Sequence, residues 1–394
     1  MLTHASATAP TRPRLFTPAF AALAAASLAY FTAAGMLLPA LPRYVTSILG
    51  GGDIAVGLVF GTFSVSAVLL RPAAGVYGDR RGRRPLMLVG AFVFAVSVLA
   101  YGLATTPTIL AGIRLVSGAG EALFFVGMLT TFTDLAPPQR RGEAMSLASL
   151  SLYLGIGIGP VAAEAIVGRF GFTGVWMATA AAAVLAASLV ARVPETRPAR
   201  CASSAARPRL VHPAGLLPGV VLMASIIGMA GFLAFVPLHV LDLGMSGAAT
   251  VLLVFAGVVV LVRSAGARLP DALGPGRAIR TALVLSVAGL TIVGVWHTPL
   301  GLVSGAVILA VGIALLTPSV FALAVAVAPA DERSQVMATT SAFIDIAFGA
   351  GPLGMGIVAA VAGRPAVFLA GAVAAAAGLA VVTVTRLGAT APRR

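Results

Sequence analysis

Glycine, proline and charged residues cut this chain into twelve apolar stretches, near 17–38, 54–78, 86–104, 109–131, 143–168, 172–192, 216–238, 247–264, 279–296, 300–322, 335–361 and 366–386. Each approaches the length of about 20 residues that an α-helix needs to cross a hydrocarbon core. The chain therefore reads as an all-α membrane protein with 12 transmembrane helices. Composition agrees: 59% hydrophobic residues, a mean hydropathy of +1.03 and no lysine among 394 residues leave too little polar surface to cover a soluble core. Arg12 and Arg14 precede the first stretch as they would in a signal peptide, but 17–38 is long enough to span and is read as a retained helix. Cys201 stands alone, which excludes an internal disulfide framework and a multi-cysteine metal cluster.

An even number of crossings puts both termini on one side. Of the arginines outside the span interiors, 21 fall in the termini and alternate loops of that side, and three, Arg43, Arg169 and Arg364, fall opposite. The positive-inside rule makes the arginine-rich side cytoplasmic. The net charge of +14 thus reports orientation in a cell (inner) membrane and contact with anionic lipid, and nucleic acid is not an expected partner. The polar stretch "VPETRPARCASSAARPRLVHP", 193–213, is the one long cytoplasmic linker. It divides the chain into an N-terminal arm (1–16), a six-helix bundle (17–193), a linker (194–215), a second six-helix bundle (216–386) and a tail (387–394).

The halves repeat. A shift of 192 positions pairs Arg71 with Arg263, Asp79 with Asp271, Gly82 with Gly274, Thr106-Pro107 with Thr298-Pro299 and Gly120 with Gly312. It also pairs Gly157 with Gly349 and Gly159-Pro160 with Gly351-Pro352. Apolar coincidences mean little in such a composition, but rare residues agreeing at one offset indicate a duplicated six-helix unit. Two parallel, pseudo-symmetric halves are a transporter architecture, with the substrate site near the midplane between them.

Between the second and third predicted helices stands "GVYGDRRGRR". With Gly75, Asp79, Arg80, Gly82, Arg83 and Arg84 it resembles the cytoplasmic signature of the major facilitator superfamily. "RLVSGAGEA" from Arg114 resembles that family's fourth-helix motif. "GIGIGP", with Gly155, Gly159 and Pro160, resembles the fifth-helix motif of its 12-helix drug:proton antiporters, and "PET" at 194–196 a common end of its sixth helix. Glu164 departs from the small residues usual there. The resemblance implies that Asp79, Arg83 and Asp134 latch the two halves together on the cytoplasmic side in the outward-facing state. It also implies that helix five packs between the halves. Alternatively the arginines are only a topology signal that Asp79 balances, and the helix-five glycines only pack helices.

A charge at the bilayer centre costs about 2.5 to 3.5 kcal/mol on insertion scales, so it normally faces a partner or a cavity. Arg114 and Glu121 are seven residues apart on predicted helix four, Asp345 is central in predicted helix eleven, and Glu164 is nearer the outer surface. Burial disfavours an ionised carboxylate and a guanidinium favours it, so Glu121, ahead of Asp345, is the expected proton carrier, with Arg114 as its partner. A static ion pair is the alternative. Tyr30, Phe124, Phe125, Phe232, Phe235, Phe321 and Phe343 are candidates for a cavity wall. That wall suits a hydrophobic or amphipathic small molecule, and the spans hold no Asn to serve a sugar. Export of a polar metabolite, such as a sugar or metal-chelating natural product, or uptake by proton symport, are the other readings. His4, His212, His239 and His297 have no metal-ligand companions in sequence, and there is no lysine for a nucleotide-binding loop. No enzyme activity, metal or cofactor is expected, and a monomer is.

The topology is testable on the single thiol. A membrane-impermeant maleimide should modify Cys201 in everted vesicles and leave it untouched in intact cells.

Overall fold

The structure, a computed structural model, describes residues 15–137, 140–196, 212–265, 273–327 and 333–385. They form eleven α-helices: α1 Pro18–Ser47, α2 Asp53–Arg81, α3 Arg83–Leu99, α4 Pro107–Leu135, α5 Arg141–Val190, α6 Pro213–Asp242, α7 Ala249–Ala265, α8 Pro275–Val295, α9 Pro299–Val327, α10 Arg333–Ala362 and α11 Arg364–Val384. Ten are long and apolar enough to cross a membrane, and α7 is a shorter apolar helix. Cys201 and Asp271 lie outside the described residues.

α5 is not one rod. Its 50 residues would extend roughly 75 Å at 1.5 Å per residue, far beyond a bilayer. At Gly171 the backbone leaves helical geometry (φ 63°, ψ −168°), a left-handed φ that glycine adopts without steric cost. The chain doubles back there. Gly159, before the break, lies against Gly35 and Met36, and Thr179, after it, bonds the Met36 sulfur at 3.6 Å. The expected division between 168 and 172 therefore falls at a break, although no polar loop marks it.

The residues repeated at a spacing of 192 share structural tasks. Thr106 and Thr298 each cap a helix with their hydroxyl, accepting from Ile109 N at 3.3 Å and Gly301 N at 3.1 Å, with Pro107 and Pro299 beginning the helices behind them. Gly82 and Gly274 both take positive φ, 109° and 76°, immediately before α3 and α8. Gly120 meets Gly90 and Phe94 of α3, and Gly312 meets Ala282 and Ser286 of α8.

Buried apolar residues form two main clusters, one built on α1–α5 and the other on α6–α11. The first also takes in Ala234, Phe235, Leu238, Met355, Ala359 and Val367, near the end of α6, the end of α10 and the start of α11. The two helix sets meet along α2–α10 and α5–α7. In the first interface Gly57 faces Pro352 and Gly356, and Gly61 faces Gly349 and Leu353; in the second Gly157 faces Leu253 and Ala256. Shifting Gly61 and Gly157 by 192 gives Leu253 and Gly349, so the interfaces are copies of one another.

Within the "GIGIGP" stretch the roles separate by face. Gly155 and Gly159 lie against Phe31 and Gly35 of α1, inside the first helix set, and only Gly157 reaches α7. Thus α5 meets the other set through Gly157, while Gly155 and Gly159, four apart and on one face, pack plainly against α1. A Cβ on Gly159 would come within 2.6 Å of Met36 N and Thr32 O, whereas Gly168 has open space. Gly159→Val should destabilise the protein by about 1–3 kcal/mol or more, read as a lower thermal midpoint in detergent, with Gly168→Ala within error of wild type.

Candidate functional site

Arg71 enters the α2–α10 interface from a helix that is otherwise apolar around it, so its guanidinium must find charge or water. It finds two carboxylates. One guanidinium nitrogen pairs with Asp345 of α10, and the other lies 3.6 Å from Glu121 of α4. The guanidinium carbon is 4.7 Å from the centre of the Phe125 ring. The acids are each only 13% exposed, and Arg71 Nε and Glu121 Oε2 are buried without hydrogen-bond partners. Tyr30 Oη of α1 is buried and unpartnered as well. At an effective dielectric near 20 an ion pair of this length gains about 4 kcal/mol, while desolvating each ion costs several. The cluster therefore contributes little net stability, and with both acids ionised it carries one excess negative charge.

Sequence spacing had paired Glu121 with Arg114, and the structure corrects this. Arg114 Nε donates to Val59 O at 3.2 Å and its Nη1 to Tyr101 Oη at 3.1 Å, with the Phe63 ring 4.2 Å beneath. Tyr101 continues to Ser117 Oγ at 2.6 Å. Seven residues put the two side chains on one face but about 10 Å apart along the axis, and Arg114 lies nearer the beginning of α4, beside the first half of α2. Arg71 was the missed residue. Its signal was present, a charge inside a predicted span whose copy recurs at Arg263.

Glu164 has a structural task. Its carboxylate accepts from Ala248 N and, at 3.1 Å, from Ala249 N, capping the start of α7 from the other helix set. At the same end of the molecule Arg364 joins Asp53 at 3.1 Å and Asp242 at 2.7 Å, tying α11 to α2 and α6.

At the opposite end Arg83 lies 3.0 Å from Asp79 and 3.1 Å from Asp134, and donates to Gly78 O at 3.2 Å. Thr196 donates to Asp134 at 2.9 Å. Glu195 of the "PET" stretch accepts from the backbone of Arg83 at 2.8 Å and Arg84 at 3.2 Å, which caps α3. A Cβ on Gly82 would strike that carboxylate. Arg80 is exposed and Gly75 has open space. These pairs hold together α2, α3, α4 and the chain after α5, all within the first helix set; the segments 266–272 and 328–332 lie outside the described residues. Asp79 is 68% exposed, and a pair so exposed is worth at most about 1 kcal/mol.

The aromatic wall is also redrawn. Tyr30 stacks on Phe124 at 3.8 Å, Phe232 packs against Phe255 and Phe368, and all of Tyr30, Phe124, Phe232 and Phe235 are fully buried. They fill helix interfaces, as large apolar side chains in a close-packed interior do. Phe125, Phe321 and Phe343 keep partial exposure, Phe125 under Arg71 and Phe343 against Gly219. Arg263, counted among the loop arginines in sequence, instead reaches α5, donating to Ser149 Oγ at 3.2 Å and lying 4.8 Å over the Tyr153 ring.

Comparison with known proteins gives a family match. The profile of the Major Facilitator Superfamily covers residues 23–299. An uncharacterized MFS-type transporter of Salmonella typhimurium is 28% identical over 375 residues, 91% of this chain and 94% of that protein. Multidrug resistance protein 2 of Bacillus subtilis is 28% identical over 157 residues, 40% of this chain and 39% of that one. Among solved structures, the human organic anion transporter MFSD10 (TETRAN) superposes with a TM-score of 0.72 at 19% identity, covering 94% of this chain and 100% of that one. A bacterial homolog of the human lysosomal transporter Spinster, inward-facing and occupied, gives 0.78 at 14% identity, covering 95% and 98%. At such identities these likenesses concern the fold.

The Arg71–Asp345 contact is open to a double-mutant cycle. Arg71→Gln leaves two facing carboxylates without a cation and should lower stability in detergent more than Asp345→Asn, which leaves Arg71 with Glu121. The double variant should lose less than the sum by about 1–3 kcal/mol; additivity would show that the two side chains do not interact.

Proposed function

The chain belongs to the major facilitator superfamily, and from that premise we propose that it is a proton-coupled secondary transporter that exports a hydrophobic or amphipathic small molecule by alternating access. On this reading the two limbs of α5 are separate crossings, twelve in all, arranged as two six-helix bundles (17–193 and 216–386) with both termini in the cytoplasm. The contacts between the sets at the Asp53 end (Glu164 with Ala248, Arg364 with Asp53) support a state closed on the outer side. The Asp79–Arg83–Asp134 group then waits, assembled within its own half, to meet the other half when the protein faces outward.

One observation carries the coupling: Glu121 Oε2 is a buried carboxylate oxygen with no donor, in a cluster of two acids and one guanidinium. Either a proton or a donor group of the substrate can satisfy it, and not both at once. That exclusion is competition, which is what antiport requires. Asp345, held directly by Arg71, is the more committed acid, and Glu121, at 3.6 Å, the freer one. The groups facing this exchange are Arg71 from α2, Asp345 from α10 and Tyr30 from α1. The partial likeness to a protein named for multidrug resistance supports an amphipathic substrate.

The test uses reconstituted vesicles holding a preformed proton gradient and a pH-sensitive dye, screened with amphipathic compounds. Wild type should release protons with particular compounds, and its affinity for them should fall toward acid pH by up to tenfold per unit, the limit for one competing proton. Glu121→Gln should bind them with little dependence between about pH 5.5 and 8.5 and move no protons, while compound exchange survives. Retained pH dependence and retained accumulation in Glu121→Gln would remove the carrier role from Glu121, and an affinity that rises toward acid pH would favour symport.

A further inference from the structure

Arg263 is the copy of Arg71, 192 residues on, and it lacks the acids that Arg71 has. The same shift that links the two arginines links Asp345 to Tyr153 and Glu121 to Ile313, so both carboxylates are replaced by uncharged side chains. The contact itself is conserved in form. Arg71 crosses from α2 to Asp345 of α10, and Arg263 crosses from α7 to Tyr153 and Ser149 of α5.

What remains at Arg263 is a fixed positive charge. Its guanidinium cannot give up a proton in a protein, its Nε is buried without an acceptor, and among the described residues no carboxylate lies within ion-pair distance of it. A ring face and one hydroxyl offset only part of the cost of that charge. Arg114, also inside a helix of the bundle and with no acid in ion-pair distance among the described residues, differs on both counts: its Nε and Nη1 have oxygen partners, and it lies within the packing of the first helix set. Arg263 is partly exposed and stands where the two sets meet, at the same level of the repeat as the Arg71 cluster.

We propose that Arg263 is a substrate-recognition residue for an anionic group, a carboxylate, sulfonate or phosphate, carried by the apolar molecule that the protein exports. The assignment rests on the transport reading for placing substrate between the helix sets, and it narrows the substrate to an amphipath with an anionic end at Arg263 and a donor toward Glu121. Tyr153 presents a flat apolar face beneath the guanidinium, and Ser149 adds a hydroxyl beside it. An incoming anion supplies the negative charge that this guanidinium lacks among the described residues.

The experiment is equilibrium binding to the purified protein in a neutral detergent, read by titrating the thermal midpoint with naphthalene-2-carboxylate and with its uncharged primary amide. Wild type should bind the carboxylate about ten- to hundredfold more tightly than the amide, as expected for a charge-assisted hydrogen bond. Arg263→Gln should reduce the carboxylate to the level of the amide. Arg263→Lys, which keeps the charge but not the fork, should retain part of the preference and serves if the glutamine variant does not fold. Equal binding of both probes, binding of neither, or an undiminished preference in Arg263→Gln overturns the assignment. Because this measurement needs no gradient, a wild type that moves no protons yet prefers the carboxylate would overturn coupled export and leave Arg263 in place.

Discussion

The Arg71 guanidinium, at membrane depth, is met by two carboxylates, each from a different helix. Arg71 belongs to α2, Glu121 to α4 and Asp345 to α10, so the cluster exists only when the first helix set is docked on the second. Its two acids outnumber its one cation. A close-packed apolar residue of similar size would stabilise such a position at least as well, and the presence of ions there is better explained by what they bind and release than by what they hold together.

The docking that creates this cluster depends on small residues. Gly57, Gly61, Gly349 and Gly356 bring α2 and α10 close enough for Arg71 to reach across, and Gly157 does the same for α5 and α7. Close approach over small side chains is how helices gain dispersion contacts when lipid offers no hydrophobic drive. The halves are alike in backbone and unlike in charge. One interface ends in an ion pair, the other in an arginine over a tyrosine, so a symmetric frame carries an asymmetric field.

The sequence was most legible where physics is local. Apolar length located the helices, Thr-Pro pairs marked helix starts, and one offset of 192 disclosed the duplication. It was least legible where the answer depends on which way a helix faces. Arg114 and Glu121 looked like partners because they share a helix, yet orientation sends them to different neighbours, Tyr101 and Arg71. Tyr30, Phe124, Phe232 and Phe235 looked like a wall because large aromatics suit one, but the same size makes them good filling between helices. Glu164 and Glu195 were visible as charges, and their capping roles were not, because each caps a helix far from it in sequence. These differences concern which neighbour a side chain meets; the count of elements differs as well, since the twelve expected helices appear as eleven, with 143–168 and 172–192 joined in α5.

The break in α5 has a meaning for biosynthesis. Around Gly171 the chain reverses with a single non-helical residue, and the neighbouring sequence "GRFGF" offers one arginine and no loop. On the twelve-crossing reading such a hairpin has almost nothing to carry across the bilayer, so its two limbs can enter the lipid together. On the same reading the sixth apolar stretch, which carries no charged residue before Arg192, takes its orientation from the fifth, and an error in placing one would be an error in placing both.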